Sequence, residues 1–255
     1  DDAAFIIYTS GTTGQPKGAI HGHQHLLGEL PQYLSLQAHE TGREQVTRTI
    51  SEWSWIMSLP GMVLPALFYG VTVAGYPSSG FEPETEFEIV QQFGVTHLNL
   101  PPTAVRMMMQ VEDPAERFDL SSLQSFSTGG ESAGTTIIEW VEETFENAAF
   151  IEGYGTTELG GVICDDPALA GAHRLGYFGI PSIGHEFRVL DRETGEPIEE
   201  PGEIGELAMR YEDDPAAFME YLGKPEQTNE TKVDGWVHTS DLVSFDEDGY
   251  YRFHS

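Results

Sequence analysis

The stretch Tyr8-Thr9-Ser10-Gly11-Thr12-Thr13-Gly14-Gln15-Pro16-Lys17-Gly18 has the residue types of a phosphate grip. Glycines let the backbone close around an anion, hydroxyls and backbone N–H groups donate to its oxygens, and one lysine adds a positive charge. The apolar run Ala3-Ala4-Phe5-Ile6-Ile7 before it predicts a buried strand feeding the loop. The expected ligand is a nucleotide triphosphate. The pattern is not a Walker loop, which needs Gly directly before Lys and Ser or Thr directly after it. Here Pro16 precedes Lys17 and Gly18 follows, so no hydroxyl reaches a metal from that position. Turn-rich surface loops use the same residue types, but eleven in succession directly after a strand favour a ligand loop.

Two further segments carry similar chemistry. Gly129-Gly130-Glu131 follows a strand predicted over 123–127, and Glu152-Gly153-Tyr154-Gly155-Thr156-Thr157-Glu158 follows one at 149–151. In parallel α/β sheets, ligands sit beyond the carboxyl ends of the strands. Each loop alone is ordinary topology; together the three describe a nucleotide site. Glu158 is the candidate for magnesium carried on phosphates, and Tyr154 could stack on a base.

The elements that must position these loops alternate through the first 180 residues. Helices are predicted over 21–36, 83–93, 103–111 and 135–145, with a mostly apolar helix after Trp53-Ser54-Trp55 that ends at Gly70. Strands are predicted over 47–50, 71–74, 96–100, 123–127 and 149–151. This alternation predicts a layered α/β fold with mostly parallel strands. From Gly176 the strands become short and turn-separated, with a hairpin turn at Asp246-Glu247-Asp248-Gly249. The expected organisation is an α/β nucleotide-binding core over 1–175 and a β-rich subdomain over 176–255.

The charge balance is extreme: 42 acidic against 12 basic residues, a formal net of −30, with only three lysines among 255 residues. The acids are spread rather than gathered in a tail, and 11% aromatic content with recurring apolar runs argues against disorder. A surface adapted to a salt-rich cytoplasm is the expectation. Such a charge argues against nucleic acid as a partner. No apolar run approaches the roughly 18 residues of a membrane span. The one cysteine, Cys164, permits no internal disulfide and reads as a buried small hydrophobe. His21, His23 and His25 invite a metal reading, but two-residue spacing on a helix would leave only His21 and His25 on one face. Met107-Met108-Met109 reads as helix core.

With these residues in view, the chain resembles the adenylate-forming enzymes: acyl-CoA synthetases, firefly-type luciferases and the adenylation domains of peptide synthetases. Residues 8–18 match the family's phosphate loop nearly letter for letter. Glu152 to Glu158 resembles its Tyr-Gly-x-Thr-Glu motif, Gly205-Glu206-Leu207 its Gly-Glu-Leu segment, and Gly235-Trp236-Val237-His238-Thr239-Ser240-Asp241 its Gly-Trp-x-x-Thr-Gly-Asp motif. The resemblance implies that Thr9, Ser10, Gly11, Thr12, Thr13, Gly14 and Lys17 hold the β- and γ-phosphates of ATP. It implies that Gly130 and Glu131 lie along the adenine, with Tyr154 stacked on it amid Gly153, Gly155 and Thr156. Thr157 would contact the α-phosphate, Glu158 would bind magnesium, and Asp241 would hold the ribose hydroxyls. Lys17, Thr157 and Glu158 would be the catalytic set, and the product acyl-AMP would react with the thiol of CoA.

Two departures stand out. Ser240 replaces the usual Gly beside Asp241, a small-for-small change expected to cost little. Residues 250–255 resemble the approach to the family's interdomain hinge, so the stretch reads as a fragment that lacks the mobile C-terminal domain and would not turn over alone. The resemblance is strongest to the acetyl- and medium-chain acyl-CoA synthetase branch. Acetate-specific members carry Trp where this chain has Gly155, so Gly155, with Trp53 and Trp55, is expected to leave a pocket for propionate-sized to medium-chain or aryl acids. An amino-acid adenylation domain and an inert structural core are the competing readings. The carboxylate excess sets a first test. The protein is expected to lose its fold as salt falls from about 1 M, where the Debye length is about 3 Å, towards about 0.01 M, where it is about 30 Å. A melting temperature independent of salt would contradict the halophile reading.

Overall fold

The computed structural model describes residues 2–9, 15–77, 80–171 and 173–254. The chain opens with strands β1 (Ala3–Thr9) and β2 (Lys17–Gly22), helix α1 (His25–Leu36) and strand β3 (Val46–Thr49). A π-helical turn at Leu59–Val63 leads into α2 (Leu64–Tyr69) and β4 (Thr72–Val73). Then come α3 (Pro83–Phe93), β5 (His97–Asn99), α4 (Pro102–Met108), α5 (Pro114–Arg117), β6 (Ser125–Gly129) and α6 (Thr135–Thr144). Strands β7 (Ala149–Thr156), β8 (Gly160–Cys164), β9 (Ile180–Pro181), β10 (Phe187–Leu190), β11 (Gly205–Arg210) and β12 (Glu220–Tyr221) follow. Helix α7 (Pro225–Thr231), β13 (Lys232–Val233), β14 (Trp236–Phe245) and β15 (Tyr251–Phe253) complete the order.

The α/β architecture is as expected. A seven-stranded sheet runs β4-β3-β5-β6-β7-β8-β9, parallel from β4 to β7 and antiparallel beyond. One apolar cluster joins α3, α4 and α6 to this sheet around Phe87, Val105, Phe126 and Val141; a second joins α1 and α2 to it around Tyr33, Met62 and Ile151. Helix α3 shows why such segments form where they do. Pro83 presets its first turn, Glu84 and Glu86 sit near its positive end, and Gly94 closes it at φ 58° in the left-handed region. A second sheet has the order β10-β11-β14-β13, with β15 on β14. A third small sheet, β1-β2-β12, is antiparallel. Strands β9 and β12 lie beyond Gly176 yet join sheets begun before it. Arg48 of β3 and Glu86 of α3 form a buried two-pronged ion pair at 3.1 and 2.7 Å that fastens a helix layer to the sheet.

Several expectations change. The segment Ala3–Ile7 is not a buried strand. It belongs to the edge strand β1, with Ile6 and Tyr8 exposed, and burial falls on Ala19 and Ile20 of β2. The first loop therefore joins the two arms of an antiparallel hairpin rather than ending a parallel strand. The helix expected from residue 21 starts at His25, because the backbone of His21 is engaged by β1 opposite Phe5. The segment 152–156, expected as a loop, continues β7 and turns back along β8. Of the three consecutive methionines, two lie on α4, where Met108 is fully buried and Met107 is exposed. Cys164 is buried in the second cluster, and burial pushes its thiol up to about 12.

His97 is buried on β5, 2.8 Å from Ser125 Oγ, and burial pulls its pKa down from 6.5 to about 4. The unfolded chain takes a proton there near pH 6.5, and the native chain only near 4. Stability from this group is therefore complete above pH 6.5 and is lost as pH falls towards 4, by roughly 1.4 kcal/mol per pH unit. Replacing His97 with Gln is expected to flatten the stability profile by about one proton across that window. Equal slopes for both proteins in denaturant titrations at pH 4–6.5 would refute this.

Candidate active site

Two cavities adjoin where the three sheets meet. The first, about 310 Å³, is lined by Thr9 and Lys17 of the hairpin, Thr156 and Glu158 of the β7–β8 connection, Tyr221, and Ser240 on β14. The second, about 410 Å³, is lined by Gly130, Glu131, Gly153, Tyr154, Gly155 and Asp241. Consecutive residues join them: Gly155 to Thr156 on one side, Asp241 to Ser240 on the other. The structure thus gathers Thr9, Lys17, Gly130, Glu131, Gly153, Tyr154, Gly155, Thr156, Glu158 and Asp241. Ser10, Gly11, Thr12, Thr13 and Gly14 lie outside the described residues.

In the first cavity, Lys17 Nζ stands 4.9 Å from the centre of the Tyr221 ring, and the Tyr221 hydroxyl donates to Glu158 Oε1 at 2.5 Å. Lys224 Nζ donates to the Pro16 carbonyl at 2.9 Å and ties the hairpin to α7. Thr157 is not among the residues lining either cavity; its carbonyl accepts from His21 Nε2 at 2.9 Å. Burial, and then neighbouring His25, push His21 down to about 3, so the ring is neutral. The two rings meet edge to face 4.4 Å apart, and His25 Nδ1 donates to the Ala216 carbonyl at 2.9 Å. These nitrogens are committed to carbonyls; the rings serve as packing and hydrogen-bond partners.

In the second cavity, the Tyr154 hydroxyl donates to Asp241 Oδ2 at 2.6 Å, and its ring packs on Phe178. Burial, and then the Asp241 charge, push the Tyr154 phenol well above its ordinary value. Burial also raises the Asp241 carboxyl, against the lowering effect of the Tyr154 hydrogen bond. Glu152 accepts from Ala133 N at 3.2 Å behind this cavity, and its own N–H donates to Asp165, which also accepts from His173 Nδ1 at 2.7 Å. Glu131 and Arg106 are half exposed and 3.7 Å apart, a separation worth little in water. Ser240 adopts φ 66°, the left-handed region that favours the glycine it replaces, at a cost of roughly 1–2 kcal/mol. Its N–H donates to Glu206 Oε1 at 2.9 Å, which offsets part of that strain.

Gly155 lines the second cavity, and the backbone around it also requires glycine. A Cβ there would lie 2.1 Å from the Gly160 carbonyl oxygen, so β7 and β8 approach too closely for any side chain. Nor do the tryptophans share its cavity. Trp53, 54% exposed, lines a separate cleft of about 630 Å³ with Arg48 and Tyr76, and Trp55 is 65% exposed. Trp53, Trp55 and Gly155 do not form one pocket.

Sequence reasoning missed Tyr221 and the polar brace from α1. Glu29 accepts from Gly161 N at 3.2 Å, and Gln32 donates to the carbonyls of Tyr154 and Ile163 at 3.4 and 3.3 Å. No local spacing could reveal these, because the partners are more than sixty residues apart in each case. The donor set also fits magnesium carried on phosphates. One carboxylate, Glu158, faces a cavity shared with Lys17 and threonine hydroxyls, which suits an ion that usually takes one or two protein carboxylates and keeps its phosphate and water ligands.

A hairpin lysine, a Tyr-Gly-x-Thr-Glu motif and a β-strand aspartate around paired cavities are features of the adenylate-forming class. The chain belongs to the AMP-binding enzyme family, whose description matches residues 1–222. It is 33% identical over 264 residues to an uncharacterised acyl-CoA ligase, YtcI, of Bacillus subtilis (strain 168), covering all of this chain and 46% of that protein. It is 34% identical over 256 residues to a feruloyl-CoA synthase of an Amycolatopsis species, covering 99% of this chain and 49% of that protein. Its fold superposes on the acyl-CoA synthetase of Brucella canis with a TM-score of 0.86 at 27% identity, over 100% of this chain and 45% of that one. The chain spans about half the length of the curated relatives it matches. No helix among the described residues is long and apolar enough to cross a membrane.

The close approach at Gly155 gives a specific expectation. Gly155→Ala should force β7 and β8 apart and lower stability by about 1–3 kcal/mol, the usual cost of overpacking. An unchanged denaturation midpoint would show that the strands yield without cost.

Proposed function

We propose that the protein of which this chain is part is an AMP-forming acid–thiol ligase. It would activate a carboxylic acid with ATP to an acyl-AMP and pass the acyl group to CoA. The observation that carries this reading is the convergence of Lys17 and Glu158 on one cavity that opens beside Tyr154 and Asp241. Lys17 binds the β- and γ-phosphates, Asp241 accepts from the ribose hydroxyls, and Tyr154 lies along the base. Thr157, anchored through its carbonyl by His21, would contact the α-phosphate. Glu158 would hold magnesium, which when bound neutralises phosphate charge.

The reaction brings two anions together. The acid's carboxylate oxygen forms a bond to the α-phosphorus, and the bond to the bridging oxygen breaks to release pyrophosphate. Charge develops on the phosphate oxygens, where preorganised donors lower the barrier most. The CoA thiolate then attacks the acyl carbon and AMP leaves. Lys17 serves the first step by offering a cation in a chain that otherwise repels its substrates.

For the acid, we favour a medium-chain or aryl acid over acetate. The aryl acid named for the Amycolatopsis relative supports this reading. The absence of a side chain at Gly155 no longer serves as a volume argument, because packing against Gly160 explains it. ATP–pyrophosphate exchange by the full-length protein, run with acetate, hexanoate, an aryl acid and an amino-acid panel, tests the reading. Exchange that depends on hexanoate or the aryl acid, followed by thioester formation with CoA, is expected. Exchange only with amino acids, or with none of the acids, would overturn it.

A further inference from the structure

Lys17 and Glu158 line the same cavity, yet among the described residues they form no ion pair. Opposite charges facing a space of about 310 Å³ attract each other across it. If they closed on each other, the cavity would lose both its phosphate-binding cation and its carboxylate. Tyr221 stands between them. Its hydroxyl donates to Glu158 Oε1, and Lys17 Nζ rests over its ring face.

Tyr221 is itself firmly placed. It is buried, and it pairs with Ala19 in the β12–β2 ladder beside the hairpin. Its N–H donates to Thr228 Oγ1 at 2.9 Å. On either side, Leu222 N donates to the Gly18 carbonyl at 2.8 Å and Phe218 N to the Glu158 carbonyl at 2.7 Å. One short segment therefore grips both loops through their backbones and places a single aromatic ring between their charged ends.

We propose that Tyr221 is a positioning residue that keeps Lys17 and Glu158 apart, holding the carboxylate for a divalent cation with its hydroxyl and the ammonium for phosphate with its ring. This rests on the reading of the cavity as the phosphate site. The hydroxyl stands behind a metal ligand, a place where removing a partner costs about 10–100-fold in metal affinity. The ring contributes through a cation–π contact, worth about threefold in affinity at a partly exposed site.

The test uses the full-length protein and calorimetric titration with ATP at graded magnesium and in EDTA. Tyr221→Phe keeps the ring and removes the hydroxyl. It is expected to raise the magnesium needed for half-maximal ATP binding by about tenfold, with affinity in EDTA within twofold of the unsubstituted protein. Tyr221→Leu removes the ring as well and is expected also to weaken binding in EDTA by about threefold. In a Glu158→Gln background, Tyr221→Phe should have no further effect on the magnesium requirement. An unchanged magnesium requirement in Tyr221→Phe overturns the proposal. Equal weakening with and without magnesium also overturns it, since the hydroxyl would then be a direct phosphate donor. Failure of the unsubstituted protein to bind ATP overturns the reading of the cavity itself, and that outcome is distinct from the other two.

Discussion

The backbone contact between β7 and β8 governs the site. Parallel pairing of β7 with β6 ends at Gly153, and beyond Thr156 the chain doubles back as β8, so close at Gly155 that no Cβ fits against Gly160. Beside the contact, Glu29 and Gln32 fill the space that side chains at Gly160 and Gly161 would need, and both hydrogen-bond to the doubled-back strands. This reversal sets Thr156, at the end of β7, and Glu158, in the turn, into the cavity they share with Thr9 and Lys17 of the hairpin. Without it, the signature residues would run on as an ordinary strand. The glycines of this motif thus set a path for the main chain, and the polar residues of α1 hold it there.

Electrostatics impose the second condition. In a chain with a formal net of −30, a site proposed to take phosphate depends on where its few positive groups are placed. Lys17 is held against an aromatic face rather than against one of the many carboxylates. Glu158 is occupied by a neutral donor, and Asp241 likewise by Tyr154. In both cavities a tyrosine hydroxyl satisfies the acid, so neither carboxylate draws a local cation into the space where substrate charge must go.

Much of the fold was legible where the signals are local. Pro83 and Gly94 bracket α3, Pro101-Pro102 open α4, and the strands β5 and β6 fall close to their expected places. The motif residues Lys17, Tyr154, Glu158 and Asp241 were legible as a set and do converge. Other features carry no local signature. Strands β9 and β12 are two residues each, and β12 finds its partner some two hundred residues back in the chain. The apolar content of β1 misled because an edge strand can present apolar residues to solvent. The residue type of the tryptophans did not say which cavity they would line; Trp53, beyond β3, lines a different cleft from Gly155. Tyr221 and the α1 brace emerge only once distant segments are superimposed by the sheets.

The distribution of lysines has a practical corollary. Lys17 lies over Tyr221, Lys224 bonds to Pro16, and Lys232 donates to the carbonyls of Phe218 and Met219. All three ε-amines of this stretch therefore cluster around β12. An amine-directed label, which on most proteins scatters over the surface, becomes a local footprinting reagent here, reporting on solvent access to one corner of the molecule.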